Sequence, residues 1–209
     1  MLGPPGAGKG TQAGRLASSL GVTRAAAGDL FREHRRKDTE LGRLARPYMD
    51  RGVLVPDDVT IRMVTDWINA SEQARGFVLD GFPRNIAQAE ALDREVAGSG
   101  GIDHVLSIRV SEKEMLRRLA GRLVCRNCQT AYHEGLSPPR VAMECDRCGG
   151  ELYQREDDSP EAVQTRIEVY LNETEPLTAY YSGAGILREI DGEAPIDEVA
   201  LALMAAVRV

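Results

Sequence analysis

The 209-residue chain has no apolar run that approaches the ~20 residues needed to span a bilayer, and no charged-then-apolar leader precedes its first motif. Internal repeats and low-complexity tracts are absent as well. There is no excess of positive charge: the net charge of −6 argues against a nucleic-acid or anionic-membrane partner, although local basic clusters can still bind phosphate. These absences predict a globular cytoplasmic protein with no membrane segment.

Cysteine is scarce, and its four copies form a regular array. Cys125, Cys128, Cys145 and Cys148 have the spacing C-x2-C-x16-C-x2-C. In a chain without a secretion signal, this spacing favours a four-thiolate site for zinc, or for a substitute divalent metal, over two disulfides or unpaired core thiols. Because four thiolates complete a tetrahedral site, we expect the metal to be structural and not catalytic.

The stretch that carries the most chemical information is rich in glycine, Gly3-Pro4-Pro5-Gly6-Ala7-Gly8-Lys9-Gly10-Thr11. The backbone N–H groups of such a loop and the positive end of the following helix dipole form a cradle for phosphate oxygens. Lys9 adds a mobile charge for the β- and γ-phosphates, and Thr11 adds a hydroxyl near the metal. Because Gly10 separates the lysine from the threonine, this is the GKGT variant of the loop.

Alternating strand and helix signals predict the α/β class, with a doubly wound parallel sheet and helices on both faces. Phe77–Asp80 is a predicted buried strand, and Ser111 and Glu114 are expected to form a capping box. Ser159-Pro160 is expected to open a long helix to about Tyr181, with a kink at Pro176. The segment 121–158 interrupts this alternation. Its Gly, Pro and Cys content suits a small inserted lobe that is held by metal, with hardly any apolar core.

Acidic and basic side chains are spaced for phosphoryl transfer. Asp80 ends a predicted strand, where a carboxylate can hold Mg²⁺ through water; a helix cap or a salt bridge is the alternative. Guanidinium groups bind phosphate bidentately and stay charged, and Arg84 follows Gly-Phe-Pro. Gln88, one turn further on, could read a base edge or be an ordinary surface glutamine. Four more arginines bracket the inserted lobe and suggest that it swings over a phosphate site. These are Arg118, Arg122, Arg155 and Arg166.

From residue 3 to the C-terminus, these motifs together resemble the adenylate kinases, in particular the long bacterial form with a zinc-bearing lid. The motifs that carry the resemblance are Gly3–Gln12, Gly28-Asp29, Asp80-Gly-Phe-Pro-Arg84, Gly121-Arg122, the double CxxC and Glu151-Leu-Tyr-Gln-Arg155. The resemblance implies the P-loop nucleoside monophosphate kinase fold and reversible, Mg²⁺-dependent transfer from ATP to AMP, which gives two ADP and maintains the adenine nucleotide balance. It further implies a monomer with core segments 1–25, 56–120 and 159–209, an AMP-binding lobe at 26–55 and a zinc lid at 121–158.

Carried over motif by motif, the resemblance assigns residues to each ligand. The ATP-binding residues would be Gly6, Ala7, Gly8, Lys9, Gly10, Thr11, Arg118, Arg122, Ala131, Tyr132 and, through its carbonyl, Ala194. The AMP-binding residues would be Ala27, Arg32, Val53, Leu54, Val55, Gly81, Phe82, Pro83, Arg84, Gln88, Arg155 and Arg166. The catalytic residues would be Lys9, Arg84, Arg122, Arg155 and Arg166; Asp80 and Thr11 would hold Mg²⁺ through water, and Cys125, Cys128, Cys145 and Cys148 would hold Zn²⁺.

Two departures from the family pattern lead to further expectations. Ala27 stands where a threonine is usual, which removes a hydroxyl near the acceptor base and about 1 kcal/mol of affinity. A kinase that prefers UMP or CMP is therefore the alternative. Only Met1 and Leu2 precede the phosphate loop, so the mid-sheet first strand of the family is truncated. We expect open edges on both neighbouring strands and an unseated loop. Either the native start lies a few residues upstream or the chain is a weakened enzyme, and we favour the upstream start.

A zinc-ribbon module for nucleic acid on an NTPase core is the alternative from a different class of protein. The segment 121–158 carries five Arg and no Lys against seven Asp or Glu. Binding to a phosphate backbone needs several basic contacts, which a net-acidic ribbon is poorly placed to supply. The charge of the segment therefore favours the kinase.

Overall fold

The computed structural model of the chain describes residues 1–69 and 75–208. The helices are α1 (Lys9–Leu20), α2 (Ala27–Arg36), α3 (Glu40–Asp50), α4 (Asp57–Ile68), α5 (Ile86–Val96), α6 (Glu112–Ala120), α7 (Pro160–Val169), α8 (Leu177–Gly183) and α9 (Ile196–Ala206). The strands are β1 (Thr23–Ala26), β2 (Phe77–Asp80), β3 (Val105–Arg109), β4 (Arg122–Cys125), β5 (Ala131–His133), β6 (Leu152–Tyr153) and β7 (Leu187–Asp191). Within the described ranges, no helix has the length and apolar character that a membrane crossing requires.

The central sheet consists of two parallel strand pairs with the first residues of the chain between them. β1 pairs with β2, and β3 pairs with β7. Leu2 forms a single parallel bridge to β3: its N–H donates to the Leu106 carbonyl at 2.8 Å, and its own carbonyl accepts from Ile108 N at 3.0 Å. On the other side, Met1 N donates to the Leu79 carbonyl at 2.6 Å. Met1 and Leu2 therefore join the two strand pairs.

The phosphate loop keeps its place despite the short strand, so the expectation of an unseated loop is wrong. Gly3 runs so close to β3 that a Cβ on it would lie 2.5 Å from the Ile108 carbonyl oxygen. Lys9 Nζ donates to the carbonyls of Gly3 and Pro4, both at 2.7 Å, and so closes the loop on itself. Close backbone packing and the Lys9 side chain hold the loop in place.

Helices cover both faces of the sheet, as predicted. Successive strand residues point to opposite faces, and on β2 the neighbours Val78 and Leu79 belong to different apolar clusters. Val78 packs in the cluster of Leu16 from α1 and Leu203 from α9. Leu79 packs in the cluster that includes Leu92 from α5. This is the doubly wound arrangement, and it places the ends of β1 and β2 at one edge of the core.

Only one of the two hydrogen bonds of the predicted capping box at α6 forms. Ser111 Oγ accepts from Glu114 N at 3.4 Å, as expected. The Glu114 carboxylate does not return to Ser111, because it binds Arg117 and Arg118, with its closest contacts at 2.6 Å. The Ser111 N–H donates instead to Glu193 Oε1 at 2.7 Å.

The predicted long helix after Ser159 is divided. α7 ends at Val169, a π-helical turn spans Tyr170–Thr174, and α8 begins at Leu177. Proline has no N–H to donate, so Pro176 interrupts the hydrogen-bond ladder, and Glu175 N donates five residues back to the Tyr170 carbonyl at 2.8 Å.

The inserted lobe lies between α6 and α7 and forms a three-stranded antiparallel sheet. β4 is its central strand and pairs with both β5 and β6. Its apolar core is small, with Leu123 and Leu152 buried beside Cys125 and Cys145. We call this lobe, residues 121–158, the lid.

Candidate active site

A cleft of about 940 Å³ opens at the edge where β1 and β2 end. Its walls come from the phosphate loop, the start of α2, the segment after β2, the near side of the lid and α7. Small-molecule sites typically measure about 300–1,000 Å³, so this cleft lies at the upper end of that range.

Most of the predicted site residues meet in this cleft. Those that line it are Gly6, Ala7, Gly8, Lys9, Gly10, Thr11, Ala27, Arg32, Val53, Leu54, Val55, Asp80, Gly81, Arg84, Gln88, Arg118, Arg122, Ala131, Arg155 and Arg166. Residues that are far apart in sequence, from the loop at 6–11 to α7, therefore face one volume.

Four of the predicted nucleotide-binding residues do not line the cleft. Phe82 is buried in the apolar core, and Pro83 is buried within the loop that follows β2. The Tyr132 hydroxyl contacts Cys145 Sγ at 3.4 Å and accepts from Asp146 N at 2.9 Å, so its side chain serves the lid. Ala194 packs partly buried beside the cluster of α1 and α9.

The cleft is strongly cationic in a chain whose net charge is −6. Ten cationic side chains line it, against three carboxylates. The cations are Lys9, Arg15, Arg24, Arg32, Arg84, Arg118, Arg122, Arg147, Arg155 and Arg166; the carboxylates are those of Asp29, Asp80 and Asp157. Such an excess of cations raises the local concentration of polyanions.

The phosphate loop presents its free donors to this cleft. Gly8 precedes α1 with a φ of 85°, a left-handed conformation that favours glycine, and no side chain caps the helix. The first N–H groups of α1 are thus open to an anion. The pKa of Lys9 is lowered from 10.5 to about 7, mainly by burial; Asp80 opposes this shift, and Arg84, Arg166 and Arg122 contribute to it.

Carboxylates next to the cleft hold two of the predicted catalytic arginines. Arg122 makes a two-pronged contact with Asp158, with Nε 2.7 Å from Oδ2. Arg166 Nη1 lies 2.9 Å from Asp158 Oδ1 and 3.1 Å from Asp157 Oδ2. Desolvation, followed by repulsion from Arg32 and Arg122, lowers the pKa of Arg155 to about 10. An anion bound among these groups would relieve that repulsion.

Gln88 is fixed in position and is not a surface residue. Its side chain is 1% exposed. Its Oε1 accepts from Arg84 N at 2.8 Å, and its Nε2 donates to Asp57 Oδ1 at 2.7 Å. These partners set the orientation of the amide, which still offers one N–H and one lone pair to a ligand.

Asp80 lies where a magnesium ligand is expected, and it is paired. Its side chain is largely buried, and Oδ2 accepts from Arg24 Nη2 at 2.8 Å. Its carboxylate and the Thr11 hydroxyl line the same cleft and offer the oxygen ligands that Mg²⁺ prefers, so the residues fit this metal. The salt bridge that was the alternative reading of Asp80 also exists.

Sequence reasoning missed several residues of the site, and Arg24 is the most important of them. It lies on β1, a strand of sequence Thr-Arg-Ala-Ala that has little strand character of its own. Its position just before Gly28-Asp29 was the available signal, because side chains at the carboxyl end of a parallel strand face the ligand crevice. Asp157 and Asp158, which anchor the arginines, were missed as well.

The four cysteines converge within the lid, and Cys128 also lines the cleft. Their Sγ atoms all lie within 4.8 Å of one another, and the pairs Cys125–Cys148 and Cys128–Cys145 are 3.5 Å apart. A tetrahedron with metal–sulfur bonds of ~2.3 Å has sulfurs roughly 3.8 Å apart, so the cluster can hold a metal ion. The hydrogen bond from Tyr132 lowers the pKa of Cys145 to about 6, which favours the thiolate that a metal needs.

Sequence comparisons identify the family. The family model described as adenylate kinase matches residues 1–186. The chain belongs to the adenylate kinase family. Adenylate kinases are nucleoside monophosphate kinases, so the protein is a phosphotransferase.

Three curated relatives named adenylate kinase are similar to the chain over nearly all of its length. The one from Carboxydothermus hydrogenoformans is 50% identical over 200 residues, which cover 95% of this chain and 94% of the relative. The adenylate kinase of Streptomyces avermitilis is 49% identical over 210 residues, or 100% and 96% of the two chains. The adenylate kinase of Methanocella arvoryzae is 46% identical over 209 residues, which cover 100% of this chain and 97% of the relative.

Proposed function

We propose that the protein transfers a phosphoryl group reversibly between ATP and AMP, gives two ADP, and thereby maintains the balance of adenine nucleotides. The charge of the cleft carries this proposal, because ten cations against three carboxylates suit two phosphate-bearing substrates held side by side. Membership of the adenylate kinase family supports the same reading.

The donor nucleotide binds along the phosphate loop in this proposal. The open N–H groups at the start of α1 take its phosphates, with Lys9 released from the carbonyls of Gly3 and Pro4 to join them. Arg118, Arg122 and Ala131 face the same volume from the lid side. Tyr132 contributes through the lid, since its hydroxyl is engaged there.

The acceptor nucleotide binds between α2 and the segment after β2. Gln88 presents an oriented amide to its base, and Ala27 and Val55 line the wall beside it. Arg32 and Arg84 are placed for its phosphate. This assignment gives residues 26–55 the role of an acceptor lobe between core segments 1–25 and 56–120.

The reaction needs alignment and charge neutralisation from these residues. An oxygen of the AMP phosphate attacks the γ-phosphorus, the bond from that phosphorus to its bridging oxygen breaks, and ADP leaves with the electron pair. Arg84, Arg155 and Arg166 would stabilise the charge on the transferring group. Asp80 and Thr11 would hold Mg²⁺ through water, and the ion supplies charge neutralisation on the phosphates when it is bound.

The lid closes over the donor phosphates and is shaped by zinc in the four-sulfur site. We assign it residues 121–158 and return the chain to the core at 159–209. One chain supplies every wall of the cleft, which supports function as a monomer. The four cysteines are placed to hold a metal ion and not to form two disulfides, which supports a cytoplasmic setting.

A comparison of acceptors tests the proposal. With ATP as donor, kcat/KM for AMP, CMP and UMP is measured by a coupled assay for nucleoside diphosphates. We expect AMP to exceed both pyrimidine nucleotides at least tenfold, because the Gln88 amide is oriented by two fixed partners. A preference for CMP or UMP would favour the pyrimidine-specific alternative, and absence of transfer to all three would refute the proposal.

A further inference from the structure

Arg24 links the donor side of the cleft to the acceptor side through a chain of charges. Its Nη2 lies 2.8 Å from Asp80 Oδ2 and 3.4 Å from Asp29 Oδ2. The other carboxylate oxygen of Asp29, Oδ1, accepts from Arg32 Nη2. Four side chains therefore alternate in sign from the proposed magnesium carboxylate to the proposed acceptor arginine.

The link joins different parts of the fold. Asp80 ends β2 in the core, Arg24 lies on β1, and Asp29 and Arg32 lie on α2 in the acceptor lobe. The Arg24–Asp80 pair also packs against the phosphate loop: Nη2 and Oδ2 each lie 3.4 Å from where a Cβ on Gly10 would stand. A change in occupancy of the donor or the acceptor site therefore alters the surroundings of Arg24 and Asp29, the two middle members of the chain of charges.

One nitrogen of Arg24 makes both ionic contacts. Its Nε is buried, and among the described residues it has no hydrogen-bond partner, so only the tip of the side chain is held. The two carboxylates share Nη2 unequally, at 2.8 and 3.4 Å. A cation that approaches Asp80 repels the guanidinium and favours the longer contact, toward Asp29.

We propose that Arg24 is a positioning residue that couples Mg²⁺ at the donor site to phosphate binding at the acceptor site. Hydrated Mg²⁺ at Asp80 displaces Arg24 toward Asp29. The Asp29 carboxylate is then shared between Arg24 and Arg32, and Arg32 is released to bind the acceptor phosphate. The inference rests on the proposed donor and acceptor sites and adds a coupling between them that is carried by this chain's own residues.

The test is the affinity for AMP, measured by isothermal titration calorimetry with the donor site saturated by the non-hydrolysable analogue β,γ-imido-ATP. The measured quantity is the ratio of the AMP Kd without Mg²⁺ to the Kd with Mg²⁺. For the unmodified protein we expect a ratio of at least about five, the low end of typical coupling between sites. For Arg24→Gln we expect a ratio below about two, since the neutral amide cannot pass charge from Asp80 to Asp29.

Arg15→Gln is the matched control. Arg15 also lines the cleft, and its ionic contact is with Asp197, at 2.5 Å on the exposed surface, away from the chain of charges. This variant removes the same charge and should keep the ratio of the unmodified protein. An equal ratio in Arg24→Gln and in the unmodified protein, or an equal loss in Arg15→Gln, would overturn the proposal.

A second measurement needs no variant. Because coupling is reciprocal, AMP must tighten Mg²⁺ binding to the analogue complex by the same factor. A Mg²⁺ titration followed by the thermal shift of the unmodified protein, with and without AMP, should give that factor; no difference would overturn the coupling. If AMP or the analogue failed to bind at all, the proposed function itself would fail, and the two failures are thus distinguishable.

Discussion

The core and the lid of this protein are held together by different forces. The core buries apolar side chains on both faces of its sheet, as Val78 and Leu79 show from one strand. The lid buries little beyond Leu123, Val124 and Leu152, and its four sulfurs converge where a core would otherwise be. The positions of the catalytic side chains should therefore depend on core packing, while the shape of the lid should depend on bound metal.

The largest expected effect is on the core side of this comparison, from Arg84→Ala. Arg84 is exposed to the cleft and bonds within its own loop, with Nε 2.9 Å from the Gly81 carbonyl. Loss of a guanidinium from the transferring phosphate should lower kcat roughly 10³-fold, about 4 kcal/mol. Steady-state kinetics and a melting curve give the two readouts, and the melting temperature should hardly change.

Arg62→Ala is the control for that variant, since the Arg62 side chain is 85% exposed on α4 and outside the cleft. It should retain the kcat of the unmodified protein. If Arg84→Ala also retained the kcat of the unmodified protein, Arg84 would not be needed to neutralise charge on the transferring phosphate.

Removal of the lid metal should affect stability much more than chemistry. The first thermal transition should fall by about 10 °C, which corresponds to ~3 kcal/mol for a chain of this size. The transfer rate below that transition, measured after Mg²⁺ is restored, should change less than about threefold. Calorimetry before and after chelation, with the metal content verified by mass spectrometry, makes the measurement.

Cys128→Ser gives the same test without a chelator, since it removes one of the four thiolates. An unmoved transition in the metal-free protein would show that the small apolar core of the lid suffices.

Proton uptake on ATP binding should report the protonation state of Lys9 in the free protein. Its pKa is lowered to about 7 in the free cleft, so at about pH 8 the amine is mostly neutral. Bound phosphate raises the pKa again, and binding should therefore take up close to one proton at about pH 8 and little at about pH 6. Calorimetry in buffers of different ionisation enthalpy, without added Mg²⁺, measures the uptake.

Lys9→Arg is the control, because a guanidinium stays charged at both pH values. Equal proton uptake in this variant would assign the effect to another group.

The smallest expected effect concerns the acceptor base. Ala27 is buried at the first residue of α2 and lines the cleft. Ala27→Thr should lower the KM for AMP about fivefold, the value of one hydrogen bond of ~1 kcal/mol, with kcat nearly unchanged. Ala27→Val adds the same volume without the hydroxyl and should not lower KM. An equal change in both variants would make the effect one of packing.

The sequence predicted the parts of this protein whose chemistry depends on local spacing. The phosphate loop, the strand at Phe77–Asp80 and the four converging cysteines are each defined by a few neighbouring residues. Local rules such as glycine tolerance for positive φ and metal-ligand spacing determine these features, and they are visible without the fold.

Features that depend on distant contacts were predicted less well. Strand β1 was missed because Thr-Arg-Ala-Ala pairs only where β2 provides a partner. Glu193 takes the Ser111 N–H from 82 residues away, so no local pattern could reveal that half of the cap. The role of Asp158 in holding Arg122 and Arg166 likewise exists only once the lid and α7 meet. The fold class followed from the sequence, whereas the support behind the arginines did not.

Hydrogen exchange tests the division between core and lid most directly. Amide protection is measured by mass spectrometry on the metal-loaded and the metal-free protein, with peptides that cover the lid, α1 and β2. If metal shapes the lid and apolar packing shapes the core, peptides within 121–158 should lose protection on metal removal, while α1 and β2 retain theirs. An equal loss of protection in α1 and β2 would contradict this account and make lid and core one cooperative unit.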